Sequence, residues 1–191
     1  MPWRILRQIT ADYARRVKPA PHRPDPGRWR SDALTASWLG HSTVLMNFYG
    51  VNVLTDPVFS ARAGLNFGFF TLGPKRYVAP ALKIGQLPRI DMVLLSHAHM
   101  DHFDLRSLRQ LDGEAVVVTA KSTADLLKGM TFRKIIELDW NESAEIDTAG
   151  GTGKGTSVRG ETLGCADEAR RSPQLQWIRA RARGKERLRD G

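Results

Sequence analysis

Four side chains that commonly bind metal ions stand close together at the end of one apolar segment. His97, His99, Asp101 and His102 follow directly on residues 92–95, which are Met, Val, Leu and Leu. Imidazole nitrogens and carboxylate oxygens are both good ligands for Zn²⁺. Alternate residues leaving a strand point the same way, so the first two can share one ion and the last two can face a second. The clustering favours a metal site over solvated surface histidines.

The elements that must position this segment are short strands alternating with helices. Apolar patterns predict strands at residues 34–39, 43–49, 51–55, 92–95, 115–119 and 134–138, with Gly50 at a hairpin turn. Two helices are predicted, one capped by Asp104 and the other by Ser122. Strand pairs followed by alternating strands and helices indicate a layered α/β fold.

Residues 56–90 lie between these groups of strands and show little periodicity. They contain several aromatic side chains, namely Phe59, Phe67, Phe69, Phe70 and Tyr77. Structureless loops of this length are usually functional or disordered. Two interpretations stay open: the aromatic side chains form an apolar substrate channel, or they pack the loop onto its own domain.

Composition limits the class of protein. With 191 residues and 41% apolar content, the chain suits one domain with a real core. Its single cysteine, Cys165, excludes an intrachain disulfide. No apolar run approaches the roughly 20 residues that span a bilayer, and the N-terminus lacks the apolar stretch of a signal peptide. We therefore expect a cytoplasmic protein.

The net charge of +9 is concentrated at the two ends of the chain. Residues 1–31 form a basic lead-in, residues 32–148 a nearly neutral domain, and residues 149–191 a basic tail. The first residues have the spacing of a basic amphipathic helix, which either lies on a membrane or packs on the domain. The basic ends can hold phosphates or anionic lipid, or they can simply be solvated.

Further motifs surround the metal-binding segment. They are Trp38-Leu39-Gly40-His41-Ser42-Thr43, Leu54-Thr55-Asp56-Pro57-Val58-Phe59-Ser60, Gly73-Pro74-Lys75-Arg76-Tyr77 and Asp139-Trp140-Asn141-Glu142-Ser143. Together with His-x-His-x-Asp-His at residues 97–102, they resemble the metallo-β-lactamase superfamily, and within it the bacterial relatives of N-acylphosphatidylethanolamine-hydrolysing phospholipase D. The resemblance covers residues 34–148.

The resemblance implies an αββα sandwich and up to two zinc ions. His97 and His99 would bind the first ion, and Asp101, which is also the candidate catalytic residue, would bind the second with His102. A hydroxide between the ions would attack phosphorus or a carbonyl carbon.

Two more residues match family positions that support the ligands from behind. Asp56 matches a supporting aspartate, although its place between Thr55 and Pro57 also suits a turn cap. His41 matches the pattern too, although a histidine at the start of a strand more often hydrogen-bonds the neighbouring backbone.

The chain departs from the family after His102, because no further histidine follows. The family supplies three more ligands downstream, and a catalytic zinc usually has three protein ligands where each ion here would have two. The sequence therefore predicts an incomplete metallo-β-lactamase-type sandwich with an impaired site, and it leaves open whether this chain is itself an active enzyme.

A frameshift would explain the missing ligands. Read one base later, codons for residues 162–167 permit His-Trp-Gly-Ala-Arg, which resembles the family segment with the missing histidine. Codons for residues 173–178 permit His-Ser-Tyr-Asn-Gly-Tyr in the same frame. We therefore interpret residues 149–191 as a disordered or frameshifted tail.

Three functions are compatible with these observations. The first is zinc-dependent hydrolysis of a phosphodiester or related ester, with a small-molecule or lipid-like substrate. The second is a sugar-phosphate lactonase. The third is a non-catalytic basic module that binds nucleic acid or anionic membrane, which salt-dependent binding without turnover would indicate. Nucleic acid is the less favoured partner, whereas peripheral membrane contact fits a cytoplasmic protein with basic ends.

Overall fold

The computed structural model describes most of the chain between residues 14 and 148. The described residues are 3, 7, 11–12, 14–66, 71–111, 113–139, 142–148, 156–161 and 177–181. The predicted N-terminal amphipathic helix lies largely outside them. So do Phe67, Phe69 and Phe70 of the aromatic loop.

A six-stranded mixed sheet forms the centre of the described structure. In chain order, the described strands are β1 (Leu34–Gly40), β2 (Thr43–Phe48), β3 (Val51–Thr55), β4 (Leu65–Asn66), β5 (Thr71–Leu72), β6 (Met92–Leu94), β7 (Val116–Ala120), β8 (Lys134–Leu138), β9 (Ser143–Thr148), β10 (Thr156–Glu161) and β11 (Trp177–Arg181). The central sheet has the order β1-β2-β3-β6-β7-β8. The first three strands are antiparallel, and β3, β6, β7 and β8 run parallel. The predicted strands of this sheet are each confirmed to within one residue.

The hairpin between β2 and β3 turns at the predicted glycine. Gly50 has a φ of +96°, which glycine adopts without the strain that a side chain would cause. The preceding residue, Tyr49, also has a positive φ, of +51°. Two consecutive residues with positive φ are typical of the tight turns that match the twist of paired strands.

Apolar side chains cover both faces of the central sheet. Side chains alternate along each strand, so β6 presents Val93 to one face and Met92 and Leu94 to the other. The first face packs in a cluster with Leu39, Leu45, Leu54, Leu95, Leu108, Val117 and Leu127, and the second with Val51, Val53, Val116, Val118, Leu138 and Ile146. Burying one such side chain contributes roughly 1.5–3 kcal/mol, so the two clusters hold β6 firmly in place.

The helices that flank the sheet are short. Helix α1 (Leu105–Leu108) begins after Asp104, whose side chain accepts a hydrogen bond from the Arg106 N–H, as predicted. It is joined by 3₁₀ turns at Pro26–Arg28, Ile84–Gln86 and Ala124–Leu127.

The prediction that Ser122 caps the second helix is wrong. The 3₁₀ turn that replaces this helix begins after Thr123, and Ser122 has a φ of +65°. A carboxylate from β8 supplies the acceptor, because Glu137 Oε1 accepts hydrogen bonds from the N–H groups of Thr123 and Ala124 at 2.8 and 2.6 Å. The side chain of Glu137, which is distant in the chain, therefore takes the capping role that was expected of Ser122.

Strands also occur after residue 142. β9, β10 and β11 form an antiparallel sheet in the order β11-β10-β9, and Ile146 of β9 packs in the second apolar cluster. β10 and β11 fall within residues 149–191, which the sequence analysis interprets as a disordered or frameshifted tail. The division into residues 1–31, 32–148 and 149–191 stays a prediction.

Candidate metal centre

The metal-binding segment leaves the sheet at the carboxyl end of β6. The chain is held on both sides at this point, because Asp56 N–H donates to Leu94 O at 2.8 Å and Leu95 N–H donates to Val118 O at 2.9 Å. The segment then turns back on itself, since the N–H groups of His102 and Phe103 donate to His99 O at 2.9 and 2.7 Å. This turn returns the end of the segment to its beginning.

Three of the four predicted ligands meet as a result. His97, Asp101 and His102 each offer one ligand atom, and these atoms lie within 4.8 Å of one another. Within the described part of the chain, these three side chains form the group whose spacing fits a metal site. Two imidazoles and a carboxylate are a donor set that zinc accepts, and three protein ligands are what a catalytic zinc usually has.

The fourth predicted ligand, His99, lies beside this group and is exposed. Its Nδ1 is 3.1 Å from His97 Nε2. Two nitrogens that share a tetrahedral zinc ion lie about 3.4 Å apart, because each is about 2.1 Å from the metal. The spacing therefore suits the predicted sharing of one ion. The geometry nevertheless also groups His97 with Asp101 and His102, so the described residues fit one metal ion better than two separate pairs.

Asp56 lies behind these ligands and is 7% exposed. Its Oδ1 accepts from the Ser96 N–H at 2.7 Å, and its Oδ2 lies 2.8 Å from both Ser96 Oγ and His102 Nδ1. Its φ of +37° is unusual for a residue with a side chain, and such strain is held where the surroundings over-determine it. The carboxylate thus contacts residues far along the chain rather than only its own turn.

The contacts of Ser96 define which ring nitrogens carry protons. An ionised carboxylate only accepts hydrogen bonds, so Ser96 Oγ must donate to Asp56. His97 Nδ1, which lies 2.9 Å from Ser96 Oγ, must then donate its proton to that oxygen. His102 Nδ1 likewise donates to Asp56. Both rings therefore keep the lone pair on Nε2, which is the electron pair that a metal ion needs.

The electrostatic surroundings keep His97 neutral. Burial lowers the pKa of His97, and the neighbouring imidazoles of His102 and His99 act in the same direction. The carboxylates of Asp56 and Asp101 oppose this shift but do not reverse it. A neutral imidazole is the form that binds metal ions, so the environment favours the ligand state.

His41 and its neighbours approach the cluster from the turn between β1 and β2. His41 Nε2 lies 3.9 Å from Asp101 Oδ2, and the residue has a φ of +55°. Its backbone oxygen accepts a hydrogen bond from Trp38 Nε1 at 2.7 Å. The next residue, Ser42, donates from Oγ to the backbone oxygen of Asp101 at 2.8 Å. This turn therefore contacts Asp101 twice, with His41 near its carboxylate and Ser42 hydrogen-bonded to its backbone oxygen.

A cleft of about 330 Å³ adjoins the cluster on the side of His41. Its other lining residues include Trp38, Val58, Ala63, Pro74, Lys75, Arg76, Tyr77 and Val78. The two cations are directed at backbone oxygens: Arg76 donates to Val58 O and Val78 O at 3.0 and 2.8 Å, and Lys75 Nζ donates to Arg15 O at 2.7 Å. The lining is mainly apolar, and it includes Tyr77 of the aromatic loop. That the loop forms a substrate channel stays a prediction. Phe59 of the same loop packs against the core, as the other interpretation predicts.

The model of the beta-lactamase superfamily domain matches residues 51–186 of this chain. The chain belongs to the beta-lactamase superfamily. This membership confirms the resemblance that the motifs indicate, and the described mixed sheet is the α/β fold expected of a metallo-β-lactamase-type member with few helices. The match extends beyond residue 148, where the motifs end. The frameshift stays a prediction, which the sequence of the gene would test.

Individual relatives agree with this assignment. An uncharacterised protein of Mycobacterium tuberculosis is 36% identical over 151 residues, which are 76% of this chain and 39% of the relative. The N-acyl-phosphatidylethanolamine-hydrolyzing phospholipase D 1 of Caenorhabditis elegans is 37% identical over 127 residues, which are 62% of this chain and 35% of the relative. The chain thus spans about two fifths of the length of the curated relatives it matches.

Parts of two solved structures align with part of this chain. The crystal structure of CmlA, a diiron beta-hydroxylase from Streptomyces venezuelae, aligns with a TM-score of 0.48 at 23% identity, over 76% of this chain and 27% of that one. An isothiocyanate hydrolase from Delia radicum gut bacteria aligns with a TM-score of 0.46 at 21% identity, over 64% of this chain and 45% of that one.

Sequence reasoning missed two hydroxyl groups that organise the site. The sequence analysis assigns no role to Ser96, and it names Ser42 only as part of a motif. Strand alternation offered a signal for Ser96, because a residue next to His97 at a strand end must contact whatever lies behind the histidines. No comparable signal pointed to Ser42.

Proposed function

We propose that this chain carries part of the site of a zinc-dependent hydrolase that acts on a phosphodiester or related ester. The observation that carries the proposal is the meeting of His97, Asp101 and His102 with Asp56 hydrogen-bonded behind them. The superfamily match and a relative named for phospholipase D activity support the same class of reaction.

The residues of the site divide into ligands and supports. His97, His99, Asp101 and His102 are the proposed metal ligands, and Asp101 is the proposed catalytic carboxylate. Asp56 orients His102 through Nδ1, and His41 faces Asp101 across 3.9 Å. When bound, zinc lowers the pKa of a coordinated water and stabilises the negative charge that develops on the substrate. The donor set suits one such ion. We therefore propose that the hydrolytic activity of this chain is impaired.

The cleft beside His41 indicates what kind of substrate group lies next to the metal. Its lining is mainly apolar, and its two cations are held by backbone oxygens. A bulky or extended apolar group suits such a surface, since removing apolar area from water contributes roughly 25 cal/mol per Å². We therefore propose a lipid-like ester, in keeping with the phospholipase D relatives.

The cellular setting follows less directly from the structure. No helix among the described residues is long and apolar enough to cross a bilayer. We propose a cytoplasmic protein with peripheral membrane contact through its basic ends, because a lipid-like substrate is presented at a membrane surface and Lys/Arg clusters are attracted to anionic lipids.

The proposal is tested by metal binding and turnover in matched variants. We expect His97→Ala to lose Co²⁺ and Zn²⁺ binding in calorimetry and to lose hydrolysis of bis(4-nitrophenyl) phosphate. The control His22→Ala removes an exposed histidine in the lead-in and should bind metal as the unmodified chain does. Metal binding that is equal in both variants would place the site elsewhere.

A further inference from the structure

The chain before β1 contacts the wall of the cleft through one carboxylate. Asp12 Oδ2 accepts a hydrogen bond from Arg62 Nη1 at 2.6 Å, and both its oxygens lie 3.1 Å from the Lys75 N–H. Arg15 Nη1 also donates to Asp12 Oδ1, at 2.8 Å. One side chain thus joins residues 50 and 63 positions further along the chain.

Neighbouring contacts strengthen the same junction. Arg15 Nη1 donates to Lys75 O at 2.9 Å, and Lys75 Nζ donates back to Arg15 O at 2.7 Å. The guanidinium of Arg15 lies 4.0 Å from the centre of the Tyr77 ring, a cation–π distance. The backbone of Lys18 also forms two hydrogen bonds with the wall. Its N–H donates to Tyr77 O at 2.9 Å, and its O accepts from the Ala79 N–H at 2.8 Å.

The segment that receives these contacts forms one side of the cleft. Ala63, Lys75 and Tyr77 line it, and Arg62 also donates to Gly73 O at 2.8 Å, which closes the segment into a loop. A Cβ at Gly73 would lie 1.9 Å from Ala63 O, so the two arms of this loop are in close contact. Among the described residues of this loop, the backbone hydrogen bonds that lie outside its own short strands join its two arms or pair it with Lys18, so the contacts with Asp12 bear directly on its position.

The superfamily domain match begins at residue 51, so the contacting segment lies outside it. We propose that Asp12 and residues 14–18 form a clamp that holds the cleft wall of residues 61–66 and 71–79 in place, and that Asp12 is its central positioning residue. Hydrogen bonds from Arg62 lower the pKa of the Asp12 carboxyl, so the carboxylate stays ionised at neutral pH. In this arrangement the lead-in does not line the cleft itself but positions one of its walls. The choice of ligand in the second test below rests on the proposed function.

The first test measures the wall itself. In the whole 191-residue chain, Asp12→Ala should raise hydrogen–deuterium exchange of peptides from residues 61–79 by about tenfold, because local stability depends on local contacts. Peptides containing β6 and β7 should exchange as in the unmodified chain. Asp32→Ala is the matched control, since it removes an exposed carboxylate that is hydrogen-bonded to Arg30, two residues earlier in the chain. Unchanged exchange at residues 61–79 in Asp12→Ala would overturn the clamp.

Two further variants separate positioning from folding. Arg62→Gln removes the opposite partner and should reproduce the exchange pattern, which covers the case that Asp12→Ala does not fold. Asp12→Glu keeps the carboxylate and should restore most of the protection. A rise in exchange spread over the whole chain would show general destabilisation and would contradict a local clamp.

The second test uses calorimetry to measure the binding of decanoate to the cleft, with acetate as the short-chain comparison. We expect decanoate to bind about tenfold more weakly to Asp12→Ala, because a displaced wall must be ordered again on binding, with the metal content unchanged. Equal decanoate affinity in both proteins would overturn the link between clamp and cleft. If decanoate fails to bind the unmodified chain, the lipid-like substrate is wrong, and the exchange measurement still decides the clamp.

Discussion

Two aspartates with the same exposure lie at opposite ends of the central sheet. Asp56 directly follows β3 and Asp91 directly precedes β6, and each is 7% exposed. Because β3 and β6 run parallel, one carboxylate lies at the carboxyl end of these strands and the other at the amino end. The two residues are therefore matched in type and burial but not in surroundings.

Among the described residues, the partners of the two aspartates differ, and the candidate site lies at the end that carries Asp56. Asp56 is hydrogen-bonded to Ser96 and His102, within a loop of metal-binding side chains. Asp91 Oδ2 accepts from the Asn52 N–H at 2.9 Å, which links the starts of two strands. Burial raises the pKa of Asp91, with hydrogen bonding by Asn52 acting against the shift. Burial alone thus does not single out a candidate functional carboxylate, whereas a position beside the loops at the carboxyl ends of parallel strands does.

The largest effect should come from removing a ligand at the site end. Asp101→Ala removes the one carboxylate among the proposed ligands and leaves only His97 and His102 of the compact group of three, with the exposed His99 beside them. We expect zinc binding to weaken by more than roughly 100-fold, which is the loss expected when a residue that supports a ligand is removed. Any hydrolysis of bis(4-nitrophenyl) phosphate should disappear with it. Elemental analysis of the unmodified chain should give fewer than two zinc ions, because further family ligands are missing. Two tightly bound ions per chain would contradict the incomplete site.

A smaller effect should distinguish the two aspartates directly. Asp56→Asn keeps the size of the side chain but weakens the charge-assisted contact to His102, so Co²⁺ affinity should fall about 10- to 100-fold. Asp91→Asn is the same chemical change at the other end of the sheet, and Co²⁺ affinity should stay within about twofold of the unmodified chain. Calorimetric titration of both variants measures the difference. Equal losses of Co²⁺ affinity in the two variants would mean that Asp56 contributes to the stability of the fold rather than to the metal site.

The sequence predicts most of the central sheet because its signals there are local. Apolar runs such as residues 116–118 are buried on both faces, and the ligand-rich loop directly follows one such strand. The fold class and the metal-binding segment were therefore predictable. Asp56 was predictable only through the resemblance, since its turn suggested a capping role equally well.

The rest depends on contacts between residues distant in the chain. Glu137 replaces the expected cap at Ser122 from another strand, and Asp12 reaches partners 50 and 63 residues away. Neither pairing leaves a periodic pattern, because each is a single side chain that finds its partner only after the sheet has formed. Local propensity cannot encode such pairs, whereas tertiary contacts routinely override it.

The smallest effect concerns the pH dependence of stability at Asp91. Its pKa is raised in the folded state by burial, so the folded protein takes up this proton at a higher pH than the unfolded chain does. Ionised Asp91 therefore costs stability at neutral pH, and this cost disappears as pH falls through the raised folded pKa toward the unfolded value.

Asp91→Asn removes the charge and retains an oxygen that can accept from Asn52. Its free energy of unfolding, relative to the unmodified chain, should be higher at pH 7 than at pH 4 by less than about 1 kcal/mol. Urea denaturation of both proteins at the two pH values measures this difference. An advantage for the variant that is larger at pH 4 would have the wrong sign, and it would mean that the charges of Arg89 and Arg133 outweigh burial at this end of the sheet.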